Sequence, residues 1–313
     1  MEQTTGNKDN GKRDFLSLLD LTPEEINQLV ERAHTLKAMQ EAGELWQPLI
    51  GKTLAMIFGL SSTRTRVAFE TGMHQLGGHA IFMSPRDSQL GRGEPVEDTA
   101  RVLSQMVDIV MIRGDSQADM ETFARMASIP VINAMSELLH PCQLLADVQT
   151  FTAHRGSIQG ATVAFVGDGY NMCNSYINAA TQLGFKLNIA CPKGYEPDAS
   201  RLTNNNVQLF DSAADAVEQV DLVVTDVWSS MGHEEETDQR KADFAPFQIN
   251  TKLLDLASKD ALLMHCLPAH RGEEVDDEVM DDPRSVVWEE AGNRLHTQKA
   301  LLEFLLLGAS RLA

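Results

Sequence analysis

The chain has 313 residues, of which 45 are acidic and 26 basic, for a formal net charge of −19 and an isoelectric point near 4.8. No basic stripe offsets that charge, which excludes the electrostatic footprint of a nucleic-acid-binding protein. A hydrophobic content of 43% suits about two globular domains with real cores, and no apolar run is long enough to span a membrane.

Residues 1 to about 13 are polar, lack the apolar centre of a signal peptide and read as a loose tail. Thr22-Pro23-Glu24-Glu25 has the capping-box pattern with proline at the first helical position. Ile26, Leu29, Val30, Ala33 and Leu36 then recur at helical spacing. Thr53 to Leu60 reads as a buried strand, and the stretch after Arg66 as a helix ending at Leu76-Gly77-Gly78. Strands follow at His79–Met83, Val107–Arg113 and Pro130–Asn133, with helices at Glu97–Met106 and Ala118–Ala127 between them. A helix is expected from Cys142 to His154, after which Gly156 and Gly160 punctuate the chain. The second half repeats the alternation, with strands at Thr162–Val166, Leu187–Cys191, Leu222–Asp226, Leu262–Cys266 and Val286–Trp288, and a helix at Asn174–Leu183. Strands alternating with helices imply an α/β protein of two domains, each with a mainly parallel sheet flanked by helices. In such sheets ligands lie beyond the carboxyl ends of the strands.

Polar clusters fall at those ends. Ser61-Ser62-Thr63-Arg64-Thr65-Arg66 sits where a strand hands over to a helix, a site suited to an anion; plain N-capping by Ser62 or Thr63 is the competing reading. Arg113 closes another strand. His140 and Gln143, three residues apart, share one side of a helical turn, while Pro141 equally marks a helix start. Gly167-Asp168-Gly169-Tyr170-Asn171 fails as a dinucleotide fingerprint. Met172 stands where a third glycine or alanine belongs, and no acidic residue ends the next strand. Asn171 is either a ligand contact or a helix cap. Asp226 opens a run through Trp228, Ser230, Met231 and Gly232 into the acidic Glu234, Glu235, Glu236 and Asp238. An aspartate there suits an ammonium group, and Trp228 reads as core. His265-Cys266-Leu267-Pro268 closes a further strand, with Cys266 open to readings from proton acceptor to inert thiol. The four cysteines, Cys142, Cys173, Cys191 and Cys266, form no CxxC pair. They suggest neither a zinc site nor a disulfide framework, and fit a reduced cytoplasmic setting.

In order and spacing, these motifs resemble the aspartate/ornithine carbamoyltransferase family over about Phe15 to Leu307. Ser62-Thr63-Arg64-Thr65 and His140-Pro141-x-Gln143 are shared across it. Ser230-Met231-Gly232 and His265-Cys266-Leu267-Pro268 point to its ornithine-using members, and Arg294 in Asn293-Arg294-Leu295-His296 also matches. The resemblance implies that residues 1–148, joined by a C-terminal helix at 295–313, bind carbamoyl phosphate, and that 149–294 bind L-ornithine. It implies Ser62, Thr63, Arg64, Thr65, Gln89, Arg113, His140, Gln143, Cys266, Leu267 and Arg294 for the first ligand, with Gln89 reaching in from a neighbouring subunit. It implies Asn171, Asp226, Ser230 and Met231 for the second, and Arg113, His140, Asp226 and Cys266 as the catalytic set. No metal or organic cofactor is expected, and the assembly implied is a homotrimer or a multiple of trimers. Where many members carry Glu-Lys, this chain has Gly59-Leu60, which removes a positive charge beside the phosphate. A carbamoyltransferase for another amine, such as putrescine, is the alternative enzyme, and a ligand-binding regulatory relative the alternative class. The run from Ser229 to about Phe247 lacks apolar periodicity, and reads as an unpacked loop that closes on ornithine with Gly232 as hinge.

Overall fold

The computed structural model describes residues 11–84, 93–228 and 237–309. The chain divides into a first unit, Met1–Leu145 with Arg294–Ala313, and a second, Ala146–Asn293. In the first unit, α1 (Pro23–Glu41) opens on a reciprocal capping box. The Thr22 hydroxyl accepts from the Glu25 N–H, and the Glu25 carboxylate from the Thr22 N–H. β1 (Thr53–Phe58) is buried along nearly its whole length, as expected of a parallel strand covered on both faces. α2 (Thr63–Gln75), β2 (His79–Met83), α3 (Val96–Leu103), β3 (Ile109–Arg113), α4 (Gln117–Met126) and β4 (Val131–Met135) complete an all-parallel sheet of order β2-β1-β3-β4. Its order reverses between β1 and β3, and in open parallel sheets ligands bind beyond the carboxyl ends of the strands at such a point.

α5 (Pro141–Arg155) carries the chain into the second unit. There β5 (Thr162–Val166), α6 (Asn171–Leu183), β6 (Lys186–Ala190), β7 (Val207–Phe210), α7 (Ala213–Val217) and β8 (Leu222–Thr225) follow in turn. α8 (Thr237–Phe244), α9 (Thr251–Leu254), β9 (Leu262–His265) and α10 (Asp277–Met280) complete the unit. The sheet is again parallel, with order β7-β6-β5-β8-β9 and its switch point between β5 and β8. Ala164, Val166, Val223, Leu263, Val275 and Val287 belong to one buried cluster of this unit.

β7 and the segment at Val286–Trp288 differ from the sequence expectation. β7 is an edge strand whose Gln208 and Leu209 are exposed, so its short, half-polar run carries no clear periodic signal. The strand expected at Val286–Trp288 is absent. Leu263 bonds to the backbone of Arg284 and Val286, a single bridge at Ser285, and the chain then turns directly into α11 (Val287–Leu307). A three-residue apolar run does not distinguish a strand from the first turn of a helix.

The part of α11 in the first unit presents charged groups to its buried side. Glu303, almost fully buried, accepts from Arg32 Nε at 2.7 Å and from the Trp46 indole. Lys299 Nζ donates to Gln40 and Gln75 at 3.0 and 2.9 Å, and burial pulls its pKa down to about 8. His296 is pushed from 6.5 to about 4, first by burial and then by Lys299 and Lys37. The folded chain therefore keeps His296 neutral at pH values where the unfolded chain protonates it. Its contribution to stability is complete above about pH 6.5 and is lost as pH falls toward 4. His296→Gln should flatten the fall in stability between those values by on the order of 1–2 kcal/mol. Urea unfolding across a pH series measures this, and an unchanged slope would refute it.

Candidate active site

At the ligand end of the first sheet, Ser62 caps α2: its Oγ accepts from the Thr65 N–H at 3.3 Å. The capping reading holds, and it is compatible with the anion-site reading, since a capped helix start presents N–H groups that favour an anion. Arg66 leaves the cluster, pairing with Glu70 and lying 4.0 Å over the Phe82 ring. The Gly59 and Leu60 N–H groups donate to the Arg113 carbonyl at 2.7 and 3.4 Å, tying the exit of β1 to the end of β3. The β3–β4 register shifts between Ile112 and Arg113, an irregularity of the kind that re-aims a side chain.

Arg294 links three segments. Its two terminal nitrogens donate to Gln143 Oε1 at 2.7 Å and to Thr65 Oγ1 at 3.1 Å, all within the buried interior. His140 stands just before α5 and is buried. Burial first, then Arg294, Arg113 and Arg64, hold its pKa well below 6.5. The ring is therefore a neutral imidazole with one N–H to donate. Ser62, Arg64, Thr65, Arg113, His140, Gln143 and Arg294 thus form one cationic cluster in this unit. Thr63 is the first, exposed residue of α2, and Gln89 lies outside the described residues.

In the second unit the Gly167–Asn171 turn follows β5. The Glu196–Pro197 backbone approaches Gly169 too closely to admit a Cβ, so this glycine serves chain packing. Asp168 is paired with Arg240, whose Nε donates to the Trp228 carbonyl at 2.7 Å and whose guanidinium lies over Tyr195 and Phe244. Trp228 is buried, as its reading as core requires. Residues 237–244 are therefore a packed helix with Phe244 fully buried, which corrects the expectation of an unpacked loop through Phe247. Ser230, Met231 and Gly232 lie outside the described residues. Tyr170 occupies the cap of α6 without a side-chain cap bond and Asn171 is the first helical residue, so Asn171 is not a capping residue.

Asp226 and Cys266 meet at the ends of β8 and β9. The Cys266 thiol donates to Asp226 Oδ1 at 3.0 Å. Burial, then the carboxylates of Asp226, Glu290 and Asp147, push the thiol well above its usual pKa, so it remains protonated. Leu267 has a φ of 55°, a left-handed conformation that surrounding structure must enforce. Its N–H donates to His265 Nδ1 at 2.8 Å, and the His265 N–H to Glu290 at 2.9 Å. Asp226, His265 and Cys266 have donor atoms within 4.8 Å of one another, yet fit a metal poorly. The sulfur is held as thiol, and His265 Nε2 faces Glu274 at 3.2 Å while Nδ1 is taken by Leu267. Sequence reasoning missed Asp147, Tyr176, Glu274 and Glu290. All four are buried, and Tyr176 donates to Asp147 at 2.7 Å. A carboxylate inside an apolar run, as in Leu144-Leu145-Ala146-Asp147-Val148, was the available signal.

Comparison with known proteins gives matches over both units. The profile described as "Aspartate/ornithine carbamoyltransferase, carbamoyl-P binding domain" covers residues 13–153. That of the "Asp/Orn binding domain" of the same family covers 159–305. The ornithine carbamoyltransferase of Psychrobacter sp. (strain PRwf-1) is 57% identical over 296 residues, 94% of this chain and 97% of that protein. That of Nitrosococcus oceani is 59% identical over 296 residues, again 94% and 97%. Among solved structures, the ornithine carbamoyltransferase of Pyrococcus furiosus aligns with a TM-score of 0.91 at 47% identity, covering 95% of this chain and 98% of that one. The Burkholderia thailandensis structure aligns at 0.88 and 50%, covering 95% and 99%.

The protonated state of Cys266 is open to a direct test. Its alkylation by iodoacetamide should be slow at pH 8, and Asp226→Asn should accelerate it roughly three- to tenfold by removing the adjacent charge. Mass spectrometry of the Cys266 peptide reports both rates; fast alkylation of the parent chain would contradict the raised pKa.

Proposed function

The chain belongs to the aspartate/ornithine carbamoyltransferase family, and from that premise we propose how its residues divide the reaction. The activity is that of an ornithine carbamoyltransferase: the carbamoyl group of carbamoyl phosphate passes to the δ-amine of L-ornithine, giving L-citrulline and phosphate, in arginine metabolism. Carbamoyl phosphate and ornithine are its two ligands. We assign the first to the unit built on β1–β4 and the second to the unit built on β5–β9.

The observation that carries the residue assignment is neutral His140 among Arg64, Arg113 and Arg294 at the crevice of the first sheet. Ser62, Thr63, Arg64, Thr65 and the start of α2 hold the phosphate. Arg113, His140 and Gln143 hold the carbamoyl end, and Arg294 fixes Gln143 and Thr65 in place. Attack of the free δ-amine on the carbonyl carbon forms the C–N bond and places negative charge on the carbonyl oxygen. Arg113 and the His140 N–H stabilise that oxyanion without reorganising. Collapse breaks the C–O bond to phosphate, whose charge Arg64 and the helix start receive. Asn171, Asp226, Ser230 and Met231 bind ornithine, and Asp226 with Cys266 orients the amine and favours loss of its proton. Cys266 and Leu267 complete the carbamoyl phosphate contacts. Holding the two reactants in line supplies much of the acceleration, of order 7–11 kcal/mol in favourable cases.

The working assembly in this reading is a homotrimer or a multiple of it, with Gln89 entering a neighbour's site. Most large apolar side chains exposed among the described residues, including Leu45, Ile50, Val67, Ile81 and Met106, lie in the first unit, which supports that unit as the subunit contact. The four free thiols support a reducing, cytoplasmic setting, and no helix among the described residues is long and apolar enough to cross a membrane.

Steady-state assays test the substrate and the residue roles together. Ornithine should exceed putrescine by at least about 10²-fold in kcat/KM, because putrescine leaves the carboxylate contacts unmade. Asp226→Asn should lower kcat/KM for ornithine about 10²–10³-fold and change the carbamoyl phosphate Kd less than about twofold. Carbamoyl phosphate binding without citrulline formation would favour the regulatory reading. For the assembly, sedimentation should give a trimer or its multiples. Mixing inactive Gln89→Ala and Arg113→Ala chains should restore part of the activity, since one site in a mixed trimer then has both residues. A monomeric active species would exclude the shared site.

A further inference from the structure

The loop leaving β9 carries a second group of donor atoms, separate from Asp226 and Cys266. Ligand atoms of His270, Glu273 and Glu274 lie within 4.8 Å of one another. Glu274 is fully buried, and its two oxygens differ. Oε1 faces His265 Nε2 at 3.2 Å and accepts from the His270 N–H. Because His265 Nδ1 accepts from Leu267, Nε2 carries the ring proton and donates to Oε1. Oε2 is buried with no hydrogen-bond partner among the described residues, and lies 3.9 Å from His270 Nδ1. A buried carboxylate oxygen without a donor is unfavourable unless a cation or proton satisfies it. The opening above it is polar: the His270 side chain is 51% exposed. Glu273 already draws a cation, Lys241 Nζ at 2.8 Å.

We propose that His270, Glu273 and Glu274 form a binding site for a divalent transition-metal cation of the zinc, cobalt or nickel type. The donor set decides the class. One imidazole with two carboxylates suits these ions, whereas calcium and magnesium favour all-oxygen shells. The spacing is close to what the ion requires. Tetrahedral bonds of about 2.1 Å place ligand atoms about 3.4 Å apart, so His270 Nδ1 and Glu274 Oε2 need close by only a fraction of an ångström. Glu273 exchanges Lys241 for the metal, and water takes the fourth position. The Glu274 ligand is supported from behind by His265, the kind of outer hydrogen bond that orients metal-binding carboxylates. The bound ion is thereby connected through Glu274 and His265 to the Leu267 N–H, and stiffens the turn that carries Cys266 and Leu267. The site stands on these contacts alone and does not depend on the assigned activity.

Calorimetric titration of the full chain with zinc chloride, in a non-chelating buffer free of carbamoyl phosphate, tests the site. Saturable binding is expected, weakened at least about tenfold in His270→Ala and in Glu273→Ala. Both side chains are partly exposed, and melting temperatures of the metal-free variants check that each folds. Zinc should raise the melting temperature of the parent chain and not that of His270→Ala. Cobalt(II) at the site should give a visible spectrum without a thiolate charge-transfer band. The proposal is overturned by unchanged affinity in both variants, by a thiolate band that places the metal on Cys266, or by the absence of saturable binding.

Discussion

A buried arginine must be hydrogen-bonded on several sides or it is costly to the fold. Arg294 meets that demand by reaching Gln143 at the start of α5 and Thr65 in the first turn of α2. Three segments remote in sequence are thereby held in one arrangement, and each carries candidate site residues. The Thr65 that accepts from Arg294 is also the residue whose N–H the Ser62 cap receives, so helix capping and site assembly are one network. The Gly59 N–H on the Arg113 carbonyl adds the end of β3 to it. The geometry at the first crevice thus depends on buried polar bonds of the C-terminal helix as much as on the sheet that displays it.

The charges around His140 and around Cys266 are opposite in sign, in a chain of net charge −19. In the first, Arg64, Arg113 and Arg294 surround a histidine that burial keeps neutral. Another positive charge there would repel three existing ones, and the neutral ring still supplies an N–H. In the second, burial first and then the carboxylates of Asp226, Glu290 and Asp147 keep Cys266 a thiol. In the proposed division of roles, the first cluster receives an anionic phosphate and a developing oxyanion, and the second a substrate bearing ammonium groups. Local arrangement overrides the global field because short-range interactions in buried surroundings are screened far less than those through solvent.

Packing also decided what the second unit uses its charges for. Asp168, beside the glycine-rich turn, is taken up by Arg240, which binds the Trp228 carbonyl and lies on Tyr195 and Phe244. The acidic stretch that follows Trp228 reads from composition as wholly solvated, yet its continuation at 237–244 is an anchored helix. The anchor is a cation on aromatic rings with an aspartate partner, a combination spread over three distant segments and invisible in a local window.

By itself the sequence determined the alternation of strands and helices, the two parallel sheets, and the placement of Ser62–Arg66, Arg113, Asp226 and Cys266 at strand ends. These follow from local periodicity, capping chemistry and turn residues, which act within a few positions of the chain. The order of motifs was enough to identify the family. The tertiary structure alone decided that Arg66 turns to Glu70 while Arg64 stays near His140, that Asn171 is not a cap, and that Val287 begins a helix and not a strand. It alone showed that Asp147, Tyr176, Glu274 and Glu290 are buried in the second unit. Protonation states belong to this class too: His140 is neutral and Cys266 a thiol because of burial and of charges contributed by residues far away in sequence. Desolvation and Coulomb interactions depend on distance in space, and a linear chain does not carry that distance until it has folded.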